Sequence, residues 1–171
     1  MILNNYWKWL DAILKTYFYS ESYNDPTTDI GMKDLSGNDA PISLASSSNE
    51  TAWESRNFEN GEMRFGSGTG SATADDYALA TDITDSLSNI SLSISSAGTN
   101  GLDRTFTVTG TNNSGSAITI TQVGYAKTVK WYDSDTGYHT EKVLFCKTTL
   151  ANPVTVADGS SFLINLAWTE V

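Results

Sequence analysis

From Ile83 onward, apolar and hydroxyl residues alternate one for one. Ile90, Leu92 and Ile94 interleave with Ser91, Ser93 and Ser95, and Phe106 and Val108 interleave with Thr105, Thr107 and Thr109. Ile118 and Ile120 do the same with Thr119 and Thr121, and Phe162, Ile164, Leu166 and Trp168 are spaced by Ser161, Leu163, Asn165 and Ala167. A period of two is the mark of a strand with one face in a core and the other in water. After Ile120 the pattern slips: Val123 and Tyr125 continue one residue out of phase, which predicts a β-bulge near Gln122. Turn-forming clusters separate the runs at Gly98–Gly101, Asn112–Gly115, Asp133–Gly137 and Ala157–Gly159. The fold class expected is mainly β, an antiparallel two-sheet β-sandwich over residues 61–171. Thr-rich outer faces suit strands and keep an uncovered sheet soluble.

The first sixty residues follow other rules. Tyr6, Trp9, Leu10, Ile13, Leu14 and Tyr17 recur at steps of three and four, predicting an amphipathic N-terminal helix over residues 1–20, capped by Asn4 or Asn5. Lys8, Asp11 and Lys15 share its polar side, with Asp11 and Lys15 at a helix-supporting spacing. Trp7, Phe18 and Tyr19 lie outside the apolar stripe, so the helix calls for more than one packing surface. Its start lacks basic residues, charges interrupt its apolar run, and no small-residue cleavage site follows, so it reads neither as a signal peptide nor as a membrane span. Residues 21–60 form an extended polar arm, packed on the body or on a neighbour and punctuated by Pro26, Gly37 and Pro41, with a tight turn at Asn38-Asp39. Short apolar pieces at Ile30–Leu35 and Ile42–Ala45 could add edge strands.

Between arm and strands lies Arg64-Phe-Gly-Ser-Gly-Thr-Gly-Ser-Ala-Thr-Ala-Asp-Asp-Tyr-Ala-Leu79. Gly66, Gly68 and Gly70 allow close backbone approach, while Asp75, Asp76 and nearby threonines can bond local amides and fix a loop that has no core of its own. This loop resembles one seen in small virion structural proteins of tailed bacteriophages, where Gly-Thr-Gly leads through hydroxyl residues to Asp-Asp-Tyr and a leucine. Gly115-Ser-Ala-Ile-Thr-Ile-Thr-Gln-Val-Gly-Tyr125 resembles a strand of the same group, and Val143–Gly159 resembles its penultimate strand, turn and closing hairpin. The resemblance spans about residues 61–169, with two departures: Gln122 stands where an acid is usual, and Trp131–His139 is an insert. It implies a β-sandwich that assembles with copies of itself and with other virion proteins, located in the virion after synthesis in the host bacterial cytoplasm.

Composition narrows the alternatives. A chain of 171 residues fits one domain, able to bury about 70% of the surface its unfolded form exposes. Its 39% hydrophobic and 18% charged content suits a turn-rich β domain. Ten basic residues against twenty acidic give a net charge of −10. The excess of acid is even, four basic to nine acidic in residues 1–60 and six to eleven in residues 61–171, so no basic stripe is available for phosphates and nucleic acid is not an expected partner. Lys127 and Lys130 read as a solvated strand face. Cys146 is alone, which excludes an internal disulfide, and its strand context reads as a small buried hydrophobe.

Catalytic chemistry finds no foothold. His139 is the single histidine, and no Gly-x-Ser-x-Gly elbow accompanies it. One histidine and one cysteine cannot make a zinc site of several such ligands. Asp133-Ser-Asp-Thr-Gly137 echoes a calcium loop, but its glycine comes one place early and no bidentate Glu follows, so it reads as a turn. Asp75 and Asp76 are adjacent and would face opposite ways in an extended segment, which does not suit glycoside hydrolysis. The expectation is therefore a non-enzyme without cofactor or metal. Its interface residues are expected at Trp7, Trp9, Ile13, Phe18, Gly66, Gly68, Asp75, Asp76 and Tyr77. The alternative is a carbohydrate-binding surface module or adhesin, taking a host glycan on Trp131, Tyr132 and Tyr138 by aromatic stacking.

Overall fold

The computed structural model describes residues 1–8, 10, 30–42, 61–97, 103–133 and 137–168. Eight strands run in chain order: β1 (Ile30–Lys33), β2 (Asp39–Ile42), β3 (Gly61–Gly66), β4 (Leu87–Ala97), β5 (Asp103–Asn112), β6 (Ile118–Asp133), β7 (Gly137–Val156) and β8 (Ser161–Trp168). They form two antiparallel three-stranded sheets, ordered β3-β6-β7 and β4-β5-β8, and a separate β1-β2 hairpin. Each stretch of strict alternation is a strand, because period two puts every apolar residue on one side of a pleated ribbon. The register of β6 against β7 shifts between Ile120 and Gln122, where the pattern slips, and again between Tyr125 and Ala126. β3 was hidden from the periodicity argument. It offers only Met63 and Phe65 as apolar positions before the glycines begin.

The main core draws on both sheets. Phe65 of β3, Val108 of β5, Ile120 and Val123 of β6, Val156 of β7 and Phe162 and Ile164 of β8 are buried together with Leu87. The rings of Phe65 and Phe162 meet edge to face with centroids 5.4 Å apart, the geometry favoured by the ring quadrupoles. A second, smaller cluster of Leu3, Leu79, Ala126 and Leu144 forms apart from it, with Leu35 packed against it.

The N-terminus differs from expectation. Met1–Leu3 is extended alongside β7: the Lys147 amide donates to the Met1 carbonyl at 3.0 Å and the Leu3 amide to the Phe145 carbonyl at 2.9 Å, with Ile2 bridged to Cys146. Among the described residues of this segment, 4–8 and 10 are helical; Trp9, residues 11–20 and with them Ile13 and Phe18 lie outside the described residues. The amides and carbonyls of these first residues find their partners on the edge of β7 rather than within a helix. Asn5 does not cap. It is buried and ties β1 to β7, accepting from the Lys33 amide at 3.1 Å and donating to the carbonyls of Lys33 at 3.0 Å and Leu144 at 3.3 Å.

The arm is partly part of the body. β1 and β2 pair across a turn in which Asp34 Oδ1 accepts from the amides of Ser36 and Asn38, each at 2.8 Å. The Leu35 amide donates to the Lys142 carbonyl of β7 at 3.0 Å. Lys127 is a further correction, since it is fully buried in β6 and not on a solvated face. Burial pushes its ammonium down to about 8. Cys146 is half-buried in β7, and burial pushes its thiol up. No helix among the described residues is long and apolar enough to cross a membrane.

Candidate functional site

The glycine-rich segment returns on itself before it reaches β4. The Ser67 amide donates to Thr81 O at 3.0 Å, Gly68 N to Ala80 O at 2.9 Å, and Ile83 N to Phe65 O at 2.9 Å. A Cβ on Gly68 would stand 2.5 Å from Ala80 Cβ and 2.7 Å from Ala80 O, so only glycine permits this approach. Beneath the loop, Gln122 is fully buried and works from both ends of its amide. Its Oε1 accepts from the Ala80 amide at 2.9 Å and its Nε2 donates to the Gly70 carbonyl at 3.1 Å. Thr121 Oγ1 donates to the Gly66 carbonyl at 3.1 Å and Thr149 Oγ1 to Gly70 at 2.9 Å. An acid at position 122, when ionised, could accept from Ala80 but could not donate to Gly70.

The acidic tip of the loop is anchored as well. Asp76 accepts from the Thr73 amide at 2.9 Å and the Thr73 hydroxyl at 2.8 Å, and pairs with Lys147 Nζ at 2.9 Å. Burial by itself would raise this carboxyl. The hydrogen bonds from Lys147 and Thr73, with the lysine's charge, outweigh that and hold it below its ordinary value of 3.8. Lys147 exposes only 6% of its side chain, so Asp76 is also what makes a buried ammonium tolerable. Asp75 Oδ1 accepts from Asn4 Nδ2 at 2.7 Å, and the Asn4 amide donates to the Ala74 carbonyl at 2.8 Å. Tyr77 lies over the β1-β2 turn so closely that a Cβ on Gly37 would be 2.9 Å from its Cζ.

Three segments are thereby joined on the outer side of the β3-β6-β7 sheet: residues 1–8, the turn at 34–38 and the loop at 66–82. From this surface Trp7 projects with 53% exposure and Tyr77 with 42%. Tyr6 backs Trp7 edge to face at 5.3 Å and itself meets Phe145 at 5.9 Å, so the exposed indole sits on a buried anchor. A neighbouring network of charges crosses the sheet from the loop beside β3 to β7. Arg64 reaches Asp82 and Glu62 at 2.8 Å each, and Lys142 reaches Glu62 at 2.8 Å.

The structure places Trp7, Gly66, Gly68, Asp75, Asp76 and Tyr77 of the predicted set on these joined segments. Within them, the glycines and aspartates serve the loop's own closure. Trp131, Tyr132 and Tyr138 sit at the far end of the β6-β7 hairpin, Trp131 opposite His139 and Tyr132 opposite Tyr138 in backbone register. Sequence reasoning missed Asn5, Lys147 and Thr149. Gln122 alone carried a signal, as the residue at which the alternation slips. Among the described residues, no three His, Cys, Asp or Glu side chains come together to hold a metal ion. The surface offers apolar rings and engaged polar groups, a chemistry of contact. No protein-family model, curated protein or solved structure matches this chain.

Proposed function

We propose that this chain is a β-sandwich subunit of a tailed-bacteriophage particle, acting through interfaces without catalysis. The observation that carries the reading is the surface bearing Trp7 and Tyr77. Two large aromatics are exposed on segments tied to the protein by hydrogen bonds of Asn4, Asn5, Asp34 and Asp76. Exposed aromatics on a preorganised surface are what anchors a protein contact, because little ordering remains to be done on binding. The sandwich is supported by a core contributed by both sheets. The assignment to a phage particle is supported by the loop and strand motifs over residues 61–169.

Particles purified from the strain that encodes the chain provide the test. Its peptides, measured by mass spectrometry at a fixed whole-number ratio to the major particle protein, are the expected result. Particles that lack them would refute the assignment. The contact surface is tested separately by Trp7→Ala and Tyr77→Ala together, which should keep a native circular dichroism spectrum and prevent incorporation into particles.

A second reading follows from the β6-β7 register, which sets Tyr132 directly across from Tyr138 next to Trp131. As a glycan-binding module, the protein would give a glycan-array signal that disappears with Trp131→Ala.

A further inference from the structure

The four sheet edges are not treated alike. The edge of β7 is bridged by Met1–Leu3. The edge of β3 is met by the returning loop, with Gly66 bridged to Asp82 and the Ile83 amide bonded to the Phe65 carbonyl, and it carries Glu62 and the Arg64–Asp82 ion pair, the kind of charge that discourages a second strand from pairing there. β4 has neither protection. Among the described residues it pairs with β5 alone, and Leu87–Ala97 contains no charged residue and no proline. Its central run, Ser91–Ser95, is exposed at every position.

Among the described residues, the apolar side of that run is left uncovered. Leu92 pairs with Val108 and Ile94 with Phe106 on the core side of the sheet. Val108 is fully buried, yet Leu92 is 38% and Ile94 59% exposed, so the opposing sheet gives out towards this end of β4. The hydroxyl side is regular, with Ser91 Oγ and Thr109 Oγ1 bonded at 2.8 Å.

We infer that β4 is the contact edge for a second copy of this chain, paired antiparallel to itself about a two-fold axis through Ser93. The occupant follows from the pattern of the strand. When a strand with strict period two pairs antiparallel with its own copy about one of its residues, like always meets like. With the axis at Ser93, Leu92 faces the copy's Ile94, Ser91 faces its Ser95, and Ser93 faces Ser93. Across Ser91–Ser95 both apolar residues then lie beside apolar residues and the hydroxyl face continues through the joint, with Ile90 opposite Ser96 just beyond it. The two three-stranded sheets become one of six, which supplies partners for the edge amides and carbonyls. A chain of net charge −10 repels its own copy over most of its surface. β4 is where such a copy can approach without bringing charge to charge. β8 also lacks charge, but its core-side Phe162 and Ile164 are already buried, so pairing there would cover no exposed apolar residue of the core side. This inference shares with the proposed function only the need for a second copy, and it does not depend on a phage particle.

The test uses purified full-length protein with Cys146→Ser as background, so that an added thiol is the only one. Ser93→Cys, an exposed position, should be captured as a covalent dimer by a short thiol–thiol cross-linker, while Leu163→Cys on β8 should not. Light scattering should give twice the chain mass for the background protein and a twofold drop for Ser93→Lys, with an unchanged circular dichroism spectrum. A monomeric background protein at about 100 μM, or cross-linking at Leu163 and not at Ser93, would overturn the inference. Loss of the β4 dimer with the chain still present in particles would separate its failure from that of the proposed function.

Discussion

The outer faces of the two sheets are built from similar strands and end in different states. On β4-β5-β8 the outward residues bond sideways to one another. Ser91 meets Thr109, Thr107 Oγ1 donates to Asn165 at 2.9 Å, and Thr111 meets Ser161 at 3.3 Å. That face satisfies itself laterally and leaves its upper side to water. On β3-β6-β7 the outward positions include Gly124, Ala126, Leu144 and the amide of Gln122. These are too small to fill the space above the sheet, or they need a partner there. The gap is taken by Leu3, Leu79 and the glycine loop. Small and amide residues on an outward face therefore call for a cover, while hydroxyls and Asn in lateral pairs dispense with one.

The comparison can be broken at several points. The largest effect is expected from Leu79→Ala, which empties the centre of the covered face and should cost about 2–5 kcal/mol in urea unfolding. A loss below about 1 kcal/mol would mean that the loop rests on the sheet without stabilising it.

Gln122→Glu comes next, at about 2–3 kcal/mol relative to the parent at pH 7, since a buried carboxylate cannot donate to the Gly70 carbonyl. Burial raises the folded-state pKa of the new acid above its unfolded value of about 4.3. Its neutral form is therefore favoured below that value, and the penalty should grow as pH rises through the folded pKa. A penalty equal at pH 4 and pH 7 would exclude this account.

Asp76→Asn should cost about 1–2 kcal/mol at neutral pH by leaving Lys147 without its counter-charge. The Asp76 pKa is depressed in the fold. Its contribution is thus present above the ordinary carboxylate value and lost as pH falls through the lowered one. The difference between variant and parent should accordingly shrink below about pH 4, and unfolding curves at pH 7 and pH 3 would read it.

The smallest effect belongs to the bare face. Leu163, 57% exposed on the outer side of β8, should tolerate Leu163→Thr within about 0.5 kcal/mol in thermal unfolding. A larger loss would show that this face, too, has a cover.

Much of the fold was legible in the chain. Alternation of apolar residues located β4, β5 and β8, and the slip after Ile120 located the register shift between β6 and β7. These features are local, because a strand's period is a property of its own residues. The glycine loop's self-closure was legible for the same reason, as Asp76 bonds Thr73 three residues away. What the sequence could not show was which strand each residue would meet. Met1–Leu3 reads as the start of a helix until the edge of β7 stands beside it. Lys127 reads as a solvated lysine until the strands around it close. Asn5 reads as a cap until Lys33 and Leu144 come within reach from 28 and 139 residues away. Gln122 was visible as an irregularity, but its partners Gly70 and Ala80 lie 52 and 42 residues back along the chain. Period and turn chemistry are written residue by residue and so belong to the sequence. Cover, burial of charge and the choice between a bonded and an open sheet edge depend on distant segments meeting, and those only the tertiary structure decided.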